Sequence, residues 1–391
     1  MPRSLLVLLV LLFVLTTLSP RATPGDEPDA AALQKMLPDL HLLEPFWRSA
    51  AVYRESLLFV QDDEKQPASG TLLFSPGKIL AVHSAAGQRQ YAADKDFAIS
   101  GDGRRLVLTT GSPIPFLKTA DLFPPKGSPR SIQHKAGDPN RHVLFDNEHW
   151  FHDQQLEVTY TRQNETWPGY VPALAEKQLP KTLAKLRGRG NLTLAVSGDS
   201  ISNGYNASAF TKTPPFMPPY PNLVAAQLEA SYGGKVTLHN RAVGGWSTKQ
   251  GLADLDKLLE TKPDLVIIAY GMNDVGRRDP LDYQKDIREM LRRIRAAYPN
   301  TEVILVATML GNADWVHTPR EMFPKYRDAL AQLCGDGVAL ADLTALWTDM
   351  LKTKRELDLQ GNGVNHPCDH GHRLYAQVIL SLLVAPSPEK K

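Results

Sequence analysis

The sequence predicts two domains of different fold class: an all-β domain of sandwich or jelly-roll type, followed by an α/β domain with a five-stranded parallel sheet. Three observations predict this. The chain has 391 residues, which is enough for two or three domains of ordinary size. Up to about residue 161, short apolar runs are separated by turn residues. After Pro180, apolar runs alternate with amphipathic helical stretches, which is typical of β–α units and a parallel sheet.

The all-β domain is predicted to span residues 45–165. Its strands are short, follow one another at spacings of roughly 8–12 residues, and are separated by turn signals such as Ser75-Pro76-Gly77. Such spacing is typical of a sandwich or jelly roll. The predicted strands are Leu57–Val60, Thr71–Phe74, Ile79–His83, Arg105–Thr109, His142–Phe145 and Leu156–Tyr160.

Residues 166–189 are predicted to be a linker, and residues 190–385 to form the α/β domain. Amphipathic stretches separate its strands. In the stretch from Tyr283 to Tyr298, apolar residues recur at i, i+3, i+4 and i+7, the period of a helix with one buried face. The five predicted strands are Leu192–Ser197, Val236–Asn240, Leu265–Tyr270, Val303–Thr308 and Val338–Asp342.

The first 22 residues are typical of a secretory signal peptide. Arg3 precedes an apolar run from Leu5 to Leu18, and small residues follow it. A run of this length is short for a membrane span, although an uncleaved anchor is the alternative. We therefore expect a secreted, periplasmic or cell-envelope protein with no membrane attachment after cleavage. Residues 386–391 are expected to be a disordered tail.

Composition narrows the class of protein. Hydrophobic residues make up 42% and charged residues 22% of the chain, which excludes disordered, collagen-like and multi-span membrane proteins. The net charge of +2 provides no field that would attract nucleic acid, so no nucleic-acid partner is expected. The two cysteines, Cys334 and Cys368, either pair in an oxidising compartment or remain isolated buried thiols. The sequence does not predict an oligomeric state.

Four residues that could perform chemistry follow successive elements of the predicted parallel sheet: Ser200, Gly245, Asn273 and His366. Each has a plain structural alternative, such as a helix cap, an ordinary turn or a core histidine. Because ligands bind beyond the carboxyl ends of parallel strands, we expect the four to meet in one crevice. A nucleophile, a base and oxyanion donors are the groups that acyl transfer requires.

Four sequence blocks, in this order, resemble those of the SGNH (GDSL-like) hydrolases. They are Gly198-Asp199-Ser200, the stretch from Asn240 to Gly245, Gly271-Met272-Asn273-Asp274 and His366-Pro367. The resemblance covers about residues 190–385. It implies a flavodoxin-like, three-layer α/β/α fold.

The same resemblance implies roles for individual residues. Ser200 would be the nucleophile and His366 its base. The amides of Ser200 and Gly245 and the side chain of Asn273 would bind the oxyanion. No metal and no organic cofactor would be needed.

This sequence departs from the family at one position. The family usually has an Asp three residues before the catalytic His, where this chain has Gly363. A carboxylate normally holds the imidazole in the correct tautomer. His366 would then act in a Ser-His dyad oriented by a backbone carbonyl, or another side chain would orient it. The candidates are Asn362, Asn365, Asp358 and Asp369.

Together these observations predict a secreted serine esterase that hydrolyses short-chain acyl esters, acetyl above all, on carbohydrates. The all-β domain ahead of the hydrolase resembles the layout of two-domain carbohydrate acetylesterases. Trp246 either walls a small acyl pocket or belongs to the core, and Asp199 is a candidate substrate contact. The alternatives are a lipase-like or thioester hydrolase for longer acyl chains, and a catalytically weak glycan-binding protein.

Two further patterns carry less weight. His149 and His152 could ligate a metal, but a structural role at the domain junction is favoured because no second ligand pair accompanies them. Asn164, Asn191 and Asn206 stand in glycosylation sequons, which three chance matches would also explain.

Overall fold

The computed structural model describes residues 30–101 and 103–386. The predicted signal peptide, residues 1–22, lies outside the described residues, as does the predicted tail beyond residue 386. No helix within the described ranges is long and apolar enough to cross a membrane.

The N-terminal region is rich in antiparallel sheet, as predicted. In its described part, seven strands form one connected sheet in the order β3-β9-β1-β2-β5-β4, with β6 parallel to β1, and β7 pairs with β8. The elements are α1 (Ala30–Leu40), β1 (Ala51–Gln61), β2 (Ser69–Thr71), β3 (Pro76–Ser84), β4 (Phe97–Ile99), β5 (Arg105–Leu108), β6 (Phe116–Lys118), β7 (Ser131–Ile132), β8 (Val143–Leu144), α2 (Trp150–Gln154) and β9 (Gln155–Arg162).

The predicted jelly-roll or sandwich arrangement of this region is not confirmed. The central strand β1 contacts the 3-10 turn Glu356–Asp358 and the last helix of the chain, both from the α/β part. The sheet therefore buries apolar surface against the α/β part of the same chain.

The α/β domain contains all five predicted strands in one parallel sheet of order β11-β10-β12-β13-β14. This confirms the predicted flavodoxin-like α/β fold, since that order is 2-1-3-4-5 within the domain. The elements are α3 (Pro180–Arg187), β10 (Leu192–Gly198), α4 (Ser200–Asn203), α5 (Tyr220–Tyr232), β11 (Val236–Asn240), α6 (Thr248–Leu259), β12 (Leu265–Ala269), α7 (Pro280–Ala297), β13 (Glu302–Ala307), α8 (Phe323–Ala331), β14 (Val338–Asp342), α9 (Leu343–Met350) and α10 (Asp369–Leu383).

The sheet is covered on both faces. Every residue of β12 and β13 is buried, which explains why these strands read as continuous apolar runs. Crossovers between parallel strands are right-handed, so α5, which leads outward to β11, lies on one face and α6, α7 and α8 on the other. Helix α5 packs with α1, α3 and α10, whereas α6 contacts α7 and α7 contacts α8. The predicted linker thus contains a packed helix, α3, with Leu183 and Leu186 buried.

The direction of the chain reverses beside β10, and this reversal positions the site. After β10 the chain adds β11 on one side, and then returns to add β12 on the other. Beyond the carboxyl ends of these strands lies the crevice where open α/β sheets bind ligands. Strand β10 ends at Gly198, where a Cβ atom would lie 2.4 Å from Ser202 Oγ. A side chain at this position would therefore displace the turn that follows the strand.

The N-terminal region and the α/β domain share a buried ionic cluster. Lys354 Nζ lies 2.6 Å from Glu55 Oε1 and 3.5 Å from Asp358 Oδ2, and Asp358 Oδ1 accepts a hydrogen bond from the amide of Leu58 at 2.8 Å. Burial lowers the pKa of Lys354, but the charges of Asp358 and Glu55 outweigh burial and raise it overall. Lys354 is therefore charged at neutral pH, and the cluster joins residues about 300 positions apart in the chain.

The cysteines are free thiols in the structure, Cys334 half-buried and Cys368 buried. Of the two alternatives left open by the sequence, the structure shows unpaired thiols.

We expect Lys354→Met to lower the free energy of unfolding by about 3–5 kcal/mol, because two buried carboxylates would lose their cation. The matched control is Lys352→Met, since the Lys352 side chain is 69% exposed and pairs only with Asp349 at the surface. That change should cost less than about 1 kcal/mol. Chemical denaturation of the two variants measures the difference, and equal losses would contradict a stabilising role for the cluster.

Candidate functional site

Ser200 is the first residue of α4, directly beyond the carboxyl end of β10. Asp199 precedes it as the N-cap, and its Oδ1 accepts a hydrogen bond from the amide of Ile201 at 3.0 Å. The Ser200 side chain then points to His366, with Ser200 Oγ 2.9 Å from His366 Nε2. The fold thus brings the predicted nucleophile and base within hydrogen-bond distance, although 166 positions separate them.

His366 is carried by a tight loop that is wound around one side chain. Asn362 Oδ1 accepts hydrogen bonds from the backbone amides of Val364, Asn365 and His366, each at 3.0 Å. Gln360 and Pro367 pair as an isolated β-bridge across the base of the loop. The loop therefore presents the imidazole in one fixed direction.

The second ring nitrogen of His366 has two amide neighbours. Asn206 Oδ1 lies 2.8 Å from Nδ1, and Asn362 Nδ2 lies 3.0 Å from the same nitrogen. Asn362 was predicted as a possible orienting residue and does contact the ring. Asn206 contacts the ring as well, although no pattern in the sequence pointed to it.

The other predicted orienting residues bond elsewhere. Asn365 Oδ1 accepts a hydrogen bond from Asn362 Nδ2. Asp369 Oδ1 accepts one from the amide of Ser208 at 2.7 Å, and Asp358 binds the amides of Leu58 and Arg355. The prediction that Asn365, Asp369 or Asp358 contacts the ring is therefore wrong. Asp369 opens α10 and binds the Ser208 amide through one oxygen, and Asp358 belongs to the buried ionic cluster with Lys354.

Burial lowers the pKa of His366 to about 3, and the neighbouring His372 adds to this shift. The imidazole is therefore neutral at neutral pH. A neutral ring is the form that can take a proton from a serine hydroxyl.

The predicted oxyanion side lies on the loop after β11. Gly245 is exposed and has φ of +79°, a left-handed conformation that favours glycine. Asn273 Nδ2 donates to the carbonyl of Trp246 at 2.9 Å. This loop is hydrogen-bonded to the end of β10, just before Ser200, because the amide of Val243 donates to the carbonyl of Gly198 at 3.1 Å. Oxyanion binding by Gly245 and Asn273 stays a prediction.

The two predicted substrate contacts differ in exposure. Asp199 is 1% exposed, and burial above all raises the pKa of its carboxyl to about 7. This burial is at odds with substrate contact, since the side chain caps α4 from inside the protein. Trp246 is half-buried and packs against the main core, so a wall of the acyl pocket stays a prediction for this residue.

An aromatic pair beside His366 was not found from the sequence. The ring of Tyr205 meets the ring of His366 edge-on, with ring centroids 5.1 Å apart. The ring centroids of Phe210 and Tyr205 are 4.5 Å apart. A Cβ atom on Gly244 would come within 2.9 Å of the Tyr205 hydroxyl. Tyr205 therefore lies between the histidine and the predicted oxyanion loop, and Phe210, 40% exposed, extends this surface outward.

The N-terminal region reaches the histidine loop. Asn206 Nδ2 donates to the carbonyls of Asn147 and Glu148 at 3.1 and 3.2 Å. A Cβ atom on Gly363 would lie 2.5 Å from the carbonyl of Leu144. Farther along, Trp315 Nε1 donates to the carbonyl of Gln133 at 2.9 Å. The segment from about residue 131 to 152 thus forms part of the support of the site.

The histidines of this segment have separate partners. His149 Nδ1 pairs with Asp153 at 2.8 Å, and His152 Nε2 lies 2.8 Å from the carbonyl of Pro214 in the α/β domain. Among the described residues, no group of three or more metal-capable side chains comes together.

Solved structures that are similar to part of this chain include esterases. One is a two-domain esterase, CEX, active on acetylated mannans, with 20% identity and a TM-score of 0.44 over 55% of each chain. Another is Axe2, an acetylxylan esterase from Geobacillus stearothermophilus, with 20% identity and a TM-score of 0.40 over 49% of this chain and 94% of the other. Similarity at this level does not transfer an activity.

Curated relatives also match part of the chain. The Escherichia coli K12 protein thioesterase 1/protease 1/lysophospholipase L1 is 32% identical over 120 residues, which are 30% of this chain and 51% of the relative. A Vibrio mimicus arylesterase is 40% identical over 88 residues, which are 22% of this chain and 40% of the relative. The chain thus spans about half the length of the first relative and less of the second.

The predicted family resemblance is confirmed by a match to a family model. The model of the GDSL-like lipase/acylhydrolase family matches residues 196–374. That range begins in β10 and ends in α10, and it contains Ser200, Asn273 and His366. This part of the chain is therefore a domain of the GDSL-like lipase/acylhydrolase family.

Proposed function

We propose that the protein is a serine esterase that hydrolyses carboxylic esters through an acyl-enzyme. The observation that carries this proposal is the 2.9 Å contact between Ser200 Oγ and His366 Nε2, made by a ring whose other nitrogen is also bonded. A nucleophile, a base and a group that orients the base form the arrangement that activates serine in unrelated hydrolases.

In the proposed mechanism, Ser200 Oγ attacks the ester carbonyl and its proton passes to His366 Nε2. The amides of Ser200 and Gly245 and one N–H of Asn273 hold the oxyanion. The proton then passes from Nε2 to the leaving alcohol, and the acyl group remains on Ser200. Water attacks this acyl-enzyme after giving a proton to Nε2, and the acid leaves when that proton returns to Ser200.

We propose short acyl groups, acetyl in particular, on a carbohydrate alcohol as the preferred substrate class. Trp246 adjoins the proposed oxyanion glycine and is half-buried, so it limits the length of an acyl chain bound there. The amino-terminal apolar run supports export from the cytoplasm. An exported enzyme would meet glycan esters outside the cytoplasm.

A longer acyl or thioester substrate is a second candidate, and the exposed aromatic surface favours it. Phe210 is 40% exposed and packs on Tyr205, which contacts His366. An exposed apolar side chain beside a catalytic base is suited to hold an alkyl chain. The E. coli relative carries the names thioesterase and lysophospholipase, which fits this candidate.

Hydrolysis of p-nitrophenyl acetate, butyrate and octanoate distinguishes these substrates. We expect acetate to be preferred, and Ser200→Ala and His366→Ala each to lower kcat by about 10⁴–10⁶-fold because the nucleophile or its base is lost. The matched control is Ser231→Ala, an exposed serine at the end of α5, which should keep wild-type rates.

A preference for octanoate that falls in Phe210→Ala would favour the second candidate. Equal rates in wild type and Ser200→Ala on every ester would refute the serine esterase proposal and favour a glycan-binding protein. Acetylated oligosaccharides, assayed by acetate release, then test the carbohydrate part separately.

The pH profile provides a further prediction. Because burial lowers the pKa of His366 from 6.5 to about 3, the ring stays neutral well below pH 6.5. We expect kcat/KM for a neutral ester to remain flat from pH 8 to pH 5, without the fall near 6.5 that an ordinary histidine base produces.

The buried Asp199 carboxyl, with a pKa of about 7, is the other group near Ser200 that titrates in this range. Asp199→Asn keeps the capping oxygen and removes that titration. A fall in kcat/KM near pH 6.5 that persists in Asp199→Asn, with the fold intact by circular dichroism, would contradict a neutral buried base.

Export is proposed on the amino-terminal pattern of Arg3 and the following apolar run. Expression of the full chain with amino-terminal sequencing of the product tests it. Cleavage near Ala22 with release into the periplasm or medium is the expected outcome, and an intact amino terminus in the cytoplasm would refute it.

A further inference from the structure

We propose that Asn206 is the residue that positions His366, and that its amide fixes the ring in the one tautomer able to accept the Ser200 proton. This inference rests on the proposed function, in which His366 acts as the base. Asn206 is buried, with 4% exposure, and both ends of its side-chain amide are hydrogen-bonded.

Three backbone carbonyls determine how the Asn206 amide is turned. Its Nδ2 lies 3.1 Å from the carbonyl of Asn147, 3.2 Å from that of Glu148 and 3.3 Å from that of Gly361. Carbonyl oxygens only accept hydrogen bonds, so the NH₂ end of the amide must face them. The oxygen end then faces His366 Nδ1 at 2.8 Å.

This orientation determines where the ring carries its proton. Asn206 Oδ1 can only accept, so His366 Nδ1 must donate to it and therefore holds the N–H. A neutral imidazole has a single N–H, so Nε2 carries a lone pair. Ser200 Oγ, at 2.9 Å, then donates its proton toward Nε2. This is the arrangement that general-base catalysis requires.

Asn362 favours the opposite tautomer. Its Oδ1 is engaged with three amides, so its Nδ2 faces both Asn365 Oδ1 at 2.9 Å and His366 Nδ1 at 3.0 Å. Donation from Asn362 to Nδ1 would leave the proton on Nε2, which would then donate to Ser200 and not activate it. When Nδ1 is protonated, Asn362 still retains the bond to Asn365. The Asn206 oxygen has no second donor among the described residues, so it loses its hydrogen bond unless Nδ1 is protonated. Asn206 therefore decides the tautomer.

The packing also explains why a carboxylate does not orient His366 in this protein. Gly363 occupies the position where the family usually has Asp, with φ of +85° and the carbonyl of Leu144 2.5 Å from where a Cβ atom would lie. No side chain fits there. At position 206, a carboxylate would place an oxygen against three carbonyl oxygens, so an amide is the group that satisfies both sides.

The N-terminal region is therefore part of the catalytic support. Leu144 closes the usual position of the acid, and the carbonyls of Asn147 and Glu148 hold the amide that replaces it. Asn206 itself has φ of +63°, a left-handed conformation that asparagine adopts more readily than most residues.

Nitrogen NMR of the full chain with ¹⁵N-labelled histidine tests the tautomer directly, without relying on esterase activity. The His366 signals are assigned by their loss in His366→Gln. We expect Nδ1 to be protonated and Nε2 unprotonated in the wild type and in Ser200→Ala. In Asn206→Ala the proton should move to Nε2, because only Asn362 then contacts Nδ1.

His152 is the internal control, since it contacts the carbonyl of Pro214 across the same interface. Its signals should not move in Asn206→Ala. A wild-type His366 with the proton on Nε2, or a tautomer unchanged in Asn206→Ala, would overturn the inference. The wild-type spectrum alone provides this test if Asn206→Ala fails to fold.

Kinetics provide a second test. We expect Asn206→Ala to lower kcat by about 10²–10⁴-fold, as the wrong tautomer does elsewhere, with KM within about twofold. Asn206→Asp, of equal size, should not rescue activity at pH 8. Its rate should rise as the pH falls toward 5, because a protonated carboxyl can turn its one O–H toward a carbonyl and leave its other oxygen to accept from Nδ1. Wild-type kcat for Asn206→Asp at pH 8 would overturn the requirement for an amide.

These tests separate the two proposals. Full activity in Ser200→Ala refutes the proposed function, whatever the NMR shows for the ring. Loss of activity in Ser200→Ala together with an unchanged tautomer and kcat in Asn206→Ala refutes only the inference about Asn206.

Discussion

The parallel pairing of β10 with β11 on one side and β12 on the other is the constraint on which the rest of the structure depends. It directs the carboxyl ends of three strands to one crevice. Ser200, Gly245 and Asn273 lie in the short loops that directly follow those strands. Their positions are therefore set by the ends of the strands. His366 is carried by a loop that does not directly follow a strand of the sheet, so it needs separate support.

That support comes from both parts of the chain. The histidine loop is wound around Asn362 and approaches the carbonyl of Leu144 at Gly363, while the carbonyls of Asn147 and Glu148 hold Asn206. The same two parts are joined by the buried cluster of Glu55, Lys354 and Asp358. Stability of the interface and geometry of the site are therefore coupled, because a shift between the parts would move the carbonyls that hold Asn206.

The low pKa of His366 follows from burial of its ring without a carboxylate beside it. His366 is surrounded by neutral amides and by another histidine, so nothing compensates for the desolvation of its charged form. In a triad with an acid, the carboxylate both orients the ring and stabilises the imidazolium. Here the amides only orient it. The proton accepted from Ser200 must therefore be balanced by the oxyanion that forms at the same time.

The sequence by itself determined the five strands of the parallel sheet and the residues that follow them, because strands buried on both faces form apolar runs and ligand sites lie at strand ends. It also identified Ser200, His366 and Asn362. It did not predict β4, β6 and β7 of the N-terminal region. Only the tertiary structure decided what orients the ring. Asn206 appeared in the sequence as part of a sequon, and its two amide ends are assigned by carbonyls that lie about 60 and 155 positions away. Contacts between such distant segments depend on packing, which local sequence patterns do not record.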